Sequence, residues 1–180
     1  MAGKKAKTVE SRAAAGPVVS AELLASGAMP ALSELEFGLI MSWHAFQRWM
    51  VRCMAAAGHA ELGPLDVLVL HSVNHRGRAK RLADICLVLN VEDTHTVTYS
   101  VRKLEARGLV KSGKQGKEKT VTVTADGAAA CAAYHEVRER LLVSGVKTLG
   151  FDEAAISGIA ALLRAMSGQY DQAARAAAAL

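Results

Sequence analysis

At 180 residues with a formal charge of +5, the chain is long enough for one domain with a sizeable core. Hydrophobic residues make up 51% but aromatics only 4%, and alanine, leucine and valine dominate, which favours helices. The absence of an uninterrupted apolar run of about 20 residues argues against a membrane span. Three scattered cysteines without CxxC spacing, Cys53, Cys86 and Cys131, fit a reduced, cytoplasmic interior better than a disulfide scaffold.

Residues 1–32 begin MAGKKAKTVESRAAAGPVVS, basic and alanine-rich. Gly16-Pro17 and then Glu22 break the apolar part, so the segment reads as a flexible basic arm rather than a targeting sequence. Residues 33–180 read as the folded domain. A first helix over 33–57 opens on Ser33 and Glu36, whose S-x-x-E spacing is that of a capping box, and Gly58 ends it. Phe37, Ile40, Trp43, Phe46, Met50 and Met54 cover so wide an arc that this helix should pack on two sides, one of them a second copy.

A second helix starts at Gly63-Pro64, with proline suited to the first turn, and Gly77 closes it. A third carries KRLADICLVLN. A fourth, over about 93–107, follows Glu92-Asp93, which can cap it and favour the positive end of its dipole. Gly108 then stops the chain before two short alternating strands, near Leu109–Ser112 and Lys119–Thr124. The second strand should place Val121 and Val123 on one face and Thr120, Thr122 and Thr124 on the other. Thr124 can cap a fifth helix and Asp152 a sixth, together covering about 125–178.

Charge is concentrated in the middle of this order. From His75 to Thr120 there are eleven Lys and Arg against five Asp and Glu, a balance of +6, and the rest of the chain nets to −1. A polyanion met by one face is the physical implication. On a wheel of the fourth helix, Val97, Val101 and Leu104 form a core stripe. His95, Tyr99 and Arg102 fall opposite, flanked by Thr94, Thr96, Thr98 and Lys103. A major groove admits one helix, and guanidinium and hydroxyl groups suit base edges while lysine suits phosphate. Arg76, Arg78, Lys80 and Arg81 lie at the turn before the third helix, and the hairpin tip GKQGKEK adds Lys114, Lys117 and Lys119.

The segment from Arg81 to Gly127 resembles the winged helix-turn-helix of MarR-family transcription regulators. RLADI, VTYSVRKLEARGLV and VTVTADG carry the likeness, and the flanking helices extend it over roughly residues 33–175. The resemblance implies a mainly α fold with a small β-hairpin wing. In it the winged helix-turn-helix lobe, over about 64–124, is flanked by N- and C-terminal dimerisation helices. It further implies a homodimer that reads double-stranded DNA with the fourth helix in the major groove. Two-fold symmetry would then pair half-sites about one helical turn apart. One departure is the wing tip, which has no arginine where the family commonly carries an aspartate-x-arginine signature. Its lysines would act on phosphates as point charges.

Other readings compete with this one. Trp43, Phe46, Trp49 and Met50 could line a pocket for a small aromatic effector, although aromatics at helical spacing more often pack. His71 and His75, with His44, could contribute to a metal site, but no carboxylate or cysteine completes four ligands, so no metal and no cofactor are expected. A cysteine switch would make the chain redox-responsive. A winged helix can also serve purely as a protein-interaction module, which has no need of the central +6. An enzyme fits poorly: there is no phosphate-cradling loop, HExxH or nucleophile elbow.

Overall fold

The computed structural model describes residues 16–180; the first fifteen residues of the basic arm lie outside the described residues. The chain divides into two units that meet within one helix, one ending at Trp49 and the other starting at Met50.

In the first unit, α1 (Glu22–Ala25) precedes α2 (Pro30–Ala56), which runs on into the second unit. The capping box expected at Ser33 does not form. The helix starts three residues earlier, at Pro30, whose fixed φ and missing N–H suit a first turn. Ser33 is therefore inside the helix and nearly buried, and its hydroxyl donates to the carbonyl of Leu24 at 2.8 Å. Glu34 accepts from the N–H of Val18 at 2.8 Å.

The second unit is built around α3 (Pro64–Asn74), whose Val67, Val69, Leu70 and Val73 are all within 1% of complete burial. A helix buried on so many sides is the hub of its unit. It packs against α4 (Leu82–Leu89), α5 (Thr94–Ala106), α6 (Ala125–Arg138) and the strand over Glu118–Val123. Strands β1 (Lys80–Arg81), β2 (Val110–Gln115) and β3 (Glu118–Val123) form an antiparallel sheet in the order β1-β3-β2. Lys80 pairs with Val121, and Val110 with Val123. The expected valine face and threonine face are not cleanly separated. β3 is the central strand, and Thr120, paired with Arg81 on one side and Gly113 on the other, is as buried as a core residue.

Helix ends follow the sequence closely in this unit. Asp93 caps α5 by accepting from the N–H of His95, and Thr124 caps α6 by accepting from that of Gly127. After α5, Gly108 takes φ 70°, and the N–H groups of Gly108 and Leu109 return to the carbonyls of Glu105 and Leu104. This Schellman closure turns the chain directly into β2. The expected fifth helix is one helical path with a π turn at Glu139–Val143, followed by α7 (Ser144–Thr148). Asp152 caps α8 (Glu153–Ala177), none of whose residues is buried. No helix of the described residues is long and apolar enough to cross a membrane.

Candidate nucleic-acid interface

Helix α5 presents two chemically different faces. Val97, Val101 and Leu104 are at most 2% exposed and join the core around α3. Thr94, His95, Thr96, Tyr99 and Arg102 are exposed, Tyr99 at 69%, and Thr98 is half-buried. Residues 95, 99 and 102 fall at i, i+4 and i+7, so an imidazole, a phenol and a guanidinium form one stripe on the solvent side. The threonines are partly engaged. Thr96 Oγ1 donates to the carbonyl of Asp93 and Thr98 Oγ1 to that of Thr94, leaving their lone pairs to accept.

Lys103 does not extend toward solvent as a free cation. Its Nζ lies 2.6 Å from Oδ2 of Asp66, a carboxylate on α3 that is 6% exposed. Arg81 is engaged as well. Its guanidinium forks onto Asp84 at 2.8 and 2.9 Å and reaches Glu118 on β3 at 3.3 Å. These hydrogen bonds raise the Arg81 pKa and hold the Asp84 carboxyl below the usual carboxylate range. Glu105, at the end of α5, accepts from both the N–H and the hydroxyl of Ser112 on β2, and the backbone bond leads in lowering its pKa. One charged cluster thus ties α4 to β3, and a second tie runs from α5 to β2.

The wing itself is a two-residue hairpin. Gly116 takes φ 63° at its first central position, where a type II′ turn needs it. Lys114 and Lys119 are directly opposed across the two strands, and with Lys117 at the turn all three are exposed. Directly opposed like charges destabilise a strand pair. Arg76 and Arg78 are exposed between α3 and β1, and Lys80 is half-buried in β1. Arg76 has a left-handed φ of 63°, unusual for a side chain of its kind.

A family model for the winged helix DNA-binding domain matches residues 62–127, a span that runs from the start of α3 into the start of α6. Among solved structures, reduced AbfR bound to DNA is similar at a TM-score of 0.62 and 18% identity, covering 79% of this chain and 96% of AbfR. A MarR-family transcriptional regulator from Rhodococcus sp. RHA1 is similar at 0.60 and 16% identity, covering 74% of this chain and 91% of the regulator. The chain has the MarR fold, with the winged helix over residues 62–127. A third similar structure is BpsR of Bordetella bronchiseptica, whose DNA binding is regulated by 6-hydroxynicotinic acid. It is 25% identical at a TM-score of 0.52, with 71% of this chain and 91% of BpsR covered. No curated protein has a matching sequence.

Beside this winged helix, the other groups singled out in the sequence are placed as follows. Trp43 and Phe46 are nearly half exposed, with ring centroids 6.4 Å apart, Trp49 is half-buried, and Met50 is core. His71 stacks edge-on against Tyr134 at 4.7 Å, and burial pulls its pKa below 6.5. Among the described residues no three His, Cys, Asp or Glu side chains converge as a metal site would require. All three cysteines are buried. Cys53 Sγ donates to the carbonyl of Tyr134 at 3.4 Å, and burial raises its pKa and pushes that of Cys131 up to about 11, so both stay thiols at neutral pH.

The His71 ring supplies a pH test. Between pH 6.5 and its lower folded value, the unfolded chain binds a proton that the folded chain refuses. Its contribution is therefore complete above pH 6.5 and falls as pH drops toward the folded value, by up to about 1.4 kcal/mol per pH unit. His71→Phe, which keeps the stack on Tyr134, should flatten urea-unfolding stability over that window. An unchanged pH slope would assign the acid sensitivity to other groups.

Proposed function

We propose that this protein is a sequence-specific, double-stranded DNA-binding transcription regulator that acts as a homodimer. Helix α5 lies in the major groove, with His95, Tyr99 and Arg102 toward base edges and the threonines beside them. Lys114, Lys117 and Lys119 meet the phosphate backbone or minor groove, and Arg76, Arg78 and Lys80 extend the basic surface. The observation that carries this reading is the opposed Lys114–Lys119 pair on the wing, in a chain whose α5 keeps a polar stripe exposed. The pair destabilises the free hairpin, and a polyanion is what reverses the sign. A module that served only protein contact would have no such need.

The dimer region is assigned to α2, α6 and α8, because α8 exposes Ile156, Ile159 and Leu162 along one side and α2 exposes Ile40 and Trp43. The DNA-bound form of AbfR and the effector-regulated BpsR support the same general role. For an effector, the second unit has room in a cavity of about 1080 Å³ lined by residues that include Leu68, His71, Arg78 and Val88. Trp43, Phe46 and Trp49 supply the aromatic alternative.

Two substitutions test the division of labour. Arg102→Ala should cost roughly 1–3 kcal/mol on a specific duplex and relax preference at one base pair per half-site, read by fluorescence anisotropy. Equal weakening on specific and random duplexes would make Arg102 a phosphate ligand. Joint replacement of Lys114 and Lys117 by alanine should instead weaken every duplex alike and lower the salt slope by about one unit for each phosphate that the tip no longer neutralises. An unchanged slope would remove the wing tip from the interface.

A further inference from the structure

Resting on that reading, we propose that Asp66 is the positioning residue of the recognition helix α5, and that Lys103 acts through it instead of touching DNA. The Asp66 carboxylate is 6% exposed in the first turn of α3. Oδ1 accepts from the hydroxyl of Ser100 at 2.8 Å, and Ser100 is 1% exposed. Oδ2 accepts from Lys103 Nζ at 2.6 Å and from the N–H of Gly63 at 2.8 Å. One carboxylate therefore closes the start of α3 and holds two positions, three residues apart, on α5.

The remaining buried side chains of α5 are Val97, Val101 and Leu104, whose packing has no direction. Apolar contacts tolerate small rotations and slides, whereas two charge-assisted or buried hydrogen bonds do not. Ser100 and Lys103 each directly follow a member of the outward stripe, Tyr99 and Arg102. Turning α5 by one residue, about 100°, would break both bonds to Asp66 and swing the phenol and guanidinium off the groove. Asp66 also lines an open groove of about 550 Å³ together with His95, Tyr99 and Arg102, so the lock lies directly beside the reading face. Buried ionic groups stabilise little relative to apolar ones of equal volume, and fixing register is their best-attested use.

The test uses the full-length chain with Asp66→Asn and Lys103→Met. In the free protein, hydrogen exchange of the peptide over residues 94–106 should be at least about tenfold faster in both variants, with α3 and α6 less affected. On a selected duplex both should bind about tenfold more weakly. On random duplex, Asp66→Asn should hold its affinity and steepen the salt slope by about one, because Lys103 is released to reach a phosphate. Adding Lys103→Met to Asp66→Asn should return that slope to the wild-type value without restoring specific binding. The proposal is overturned if Lys103→Met by itself lowers the random-duplex slope by about one, since Lys103 then touches phosphate. It is equally overturned if α5 exchange is unchanged in both variants, or if specific and random affinities fall together. Should Asp66→Asn fail to fold, Lys103→Met and Ser100→Ala decide the same exchange and specificity readouts. If the wild-type chain prefers no duplex, the regulator reading fails, and the exchange measurement still decides whether Asp66 positions α5.

Discussion

Gly127→Ala should destabilise the winged unit by about 3 kcal/mol, the upper end of what overpacking costs. A Cβ at this position would overlap the carbonyl oxygen of Leu109, and it would sit 2.9 Å from both the Leu109 carbonyl carbon and Val123 Cγ2. Because the main obstacle is backbone, no side-chain rotation relieves it. The Leu109 carbonyl also accepts from the N–H of Thr124, and Thr124 Oγ1 donates to the carbonyl of Gly108 at 2.6 Å while capping Gly127. The end of α5, the start of β2, the end of β3 and the start of α6 meet at this point. Displacing one moves the wing relative to the recognition helix, so DNA affinity should fall further than stability alone dictates. Urea unfolding with Gly145→Ala as control separates the causes. Gly145 has open space around it within a helix, and alanine there should be neutral or stabilising by up to about 1 kcal/mol. Matching midpoints for the two variants would mean that the close approach at Gly127 is absent.

Removing residues 152–180 should abolish dimerisation and most DNA affinity together. α8 has 25 residues and buries none, while Ile156, Ile159 and Leu162 are 43–54% exposed. A helix of that length and composition is marginal in water unless its apolar side is covered. Its many alanines and Gly158 permit close approach but give each pairing little area, so coverage has to be long. An interface of roughly 2,000 Å² or more is what an obligate dimer of this kind requires. Each half-site alone buries too little for strong binding, so affinity should follow association. Sedimentation of the truncated chain decides the matter: a stable dimer without α8 places the interface elsewhere and removes the basis for half-site spacing.

The parts of the fold that were legible in the sequence are those whose causes are local. Asp93, Thr124 and Asp152 cap helices because a short acceptor can reach an N–H two or three residues on. Gly58 and Gly108 end helices because both take positive φ. The core stripe of α5 followed from its period. At Ser33 the S-x-x-E spacing does not distinguish a cap from a helix interior, and Pro30 starts the turn earlier. Strand β1, two residues long, has no period to detect, and it converts Thr120 from an outward to an enclosed residue.

The exposed polar stripe of α5 was legible in the sequence, but the pairings around it were not. A wheel places Lys103 beside Arg102, yet only the fold brings it to Asp66, 37 residues earlier in the chain. Arg81 likewise meets Glu118 across 37 residues. Exposed cations and cations spent on scaffold carboxylates have the same sequence appearance. The difference lies in tertiary partners, which no spacing rule reports.

The central claim is most directly tested by selecting binding sites for the full-length chain from a randomised duplex pool, then titrating the selected and scrambled duplexes with salt. Two inverted half-sites with centres about one helical turn apart are predicted, bound at least about a thousandfold more tightly than the scrambled duplex at physiological salt. A pool that never converges, or equal affinity for both duplexes at every salt concentration, would contradict it.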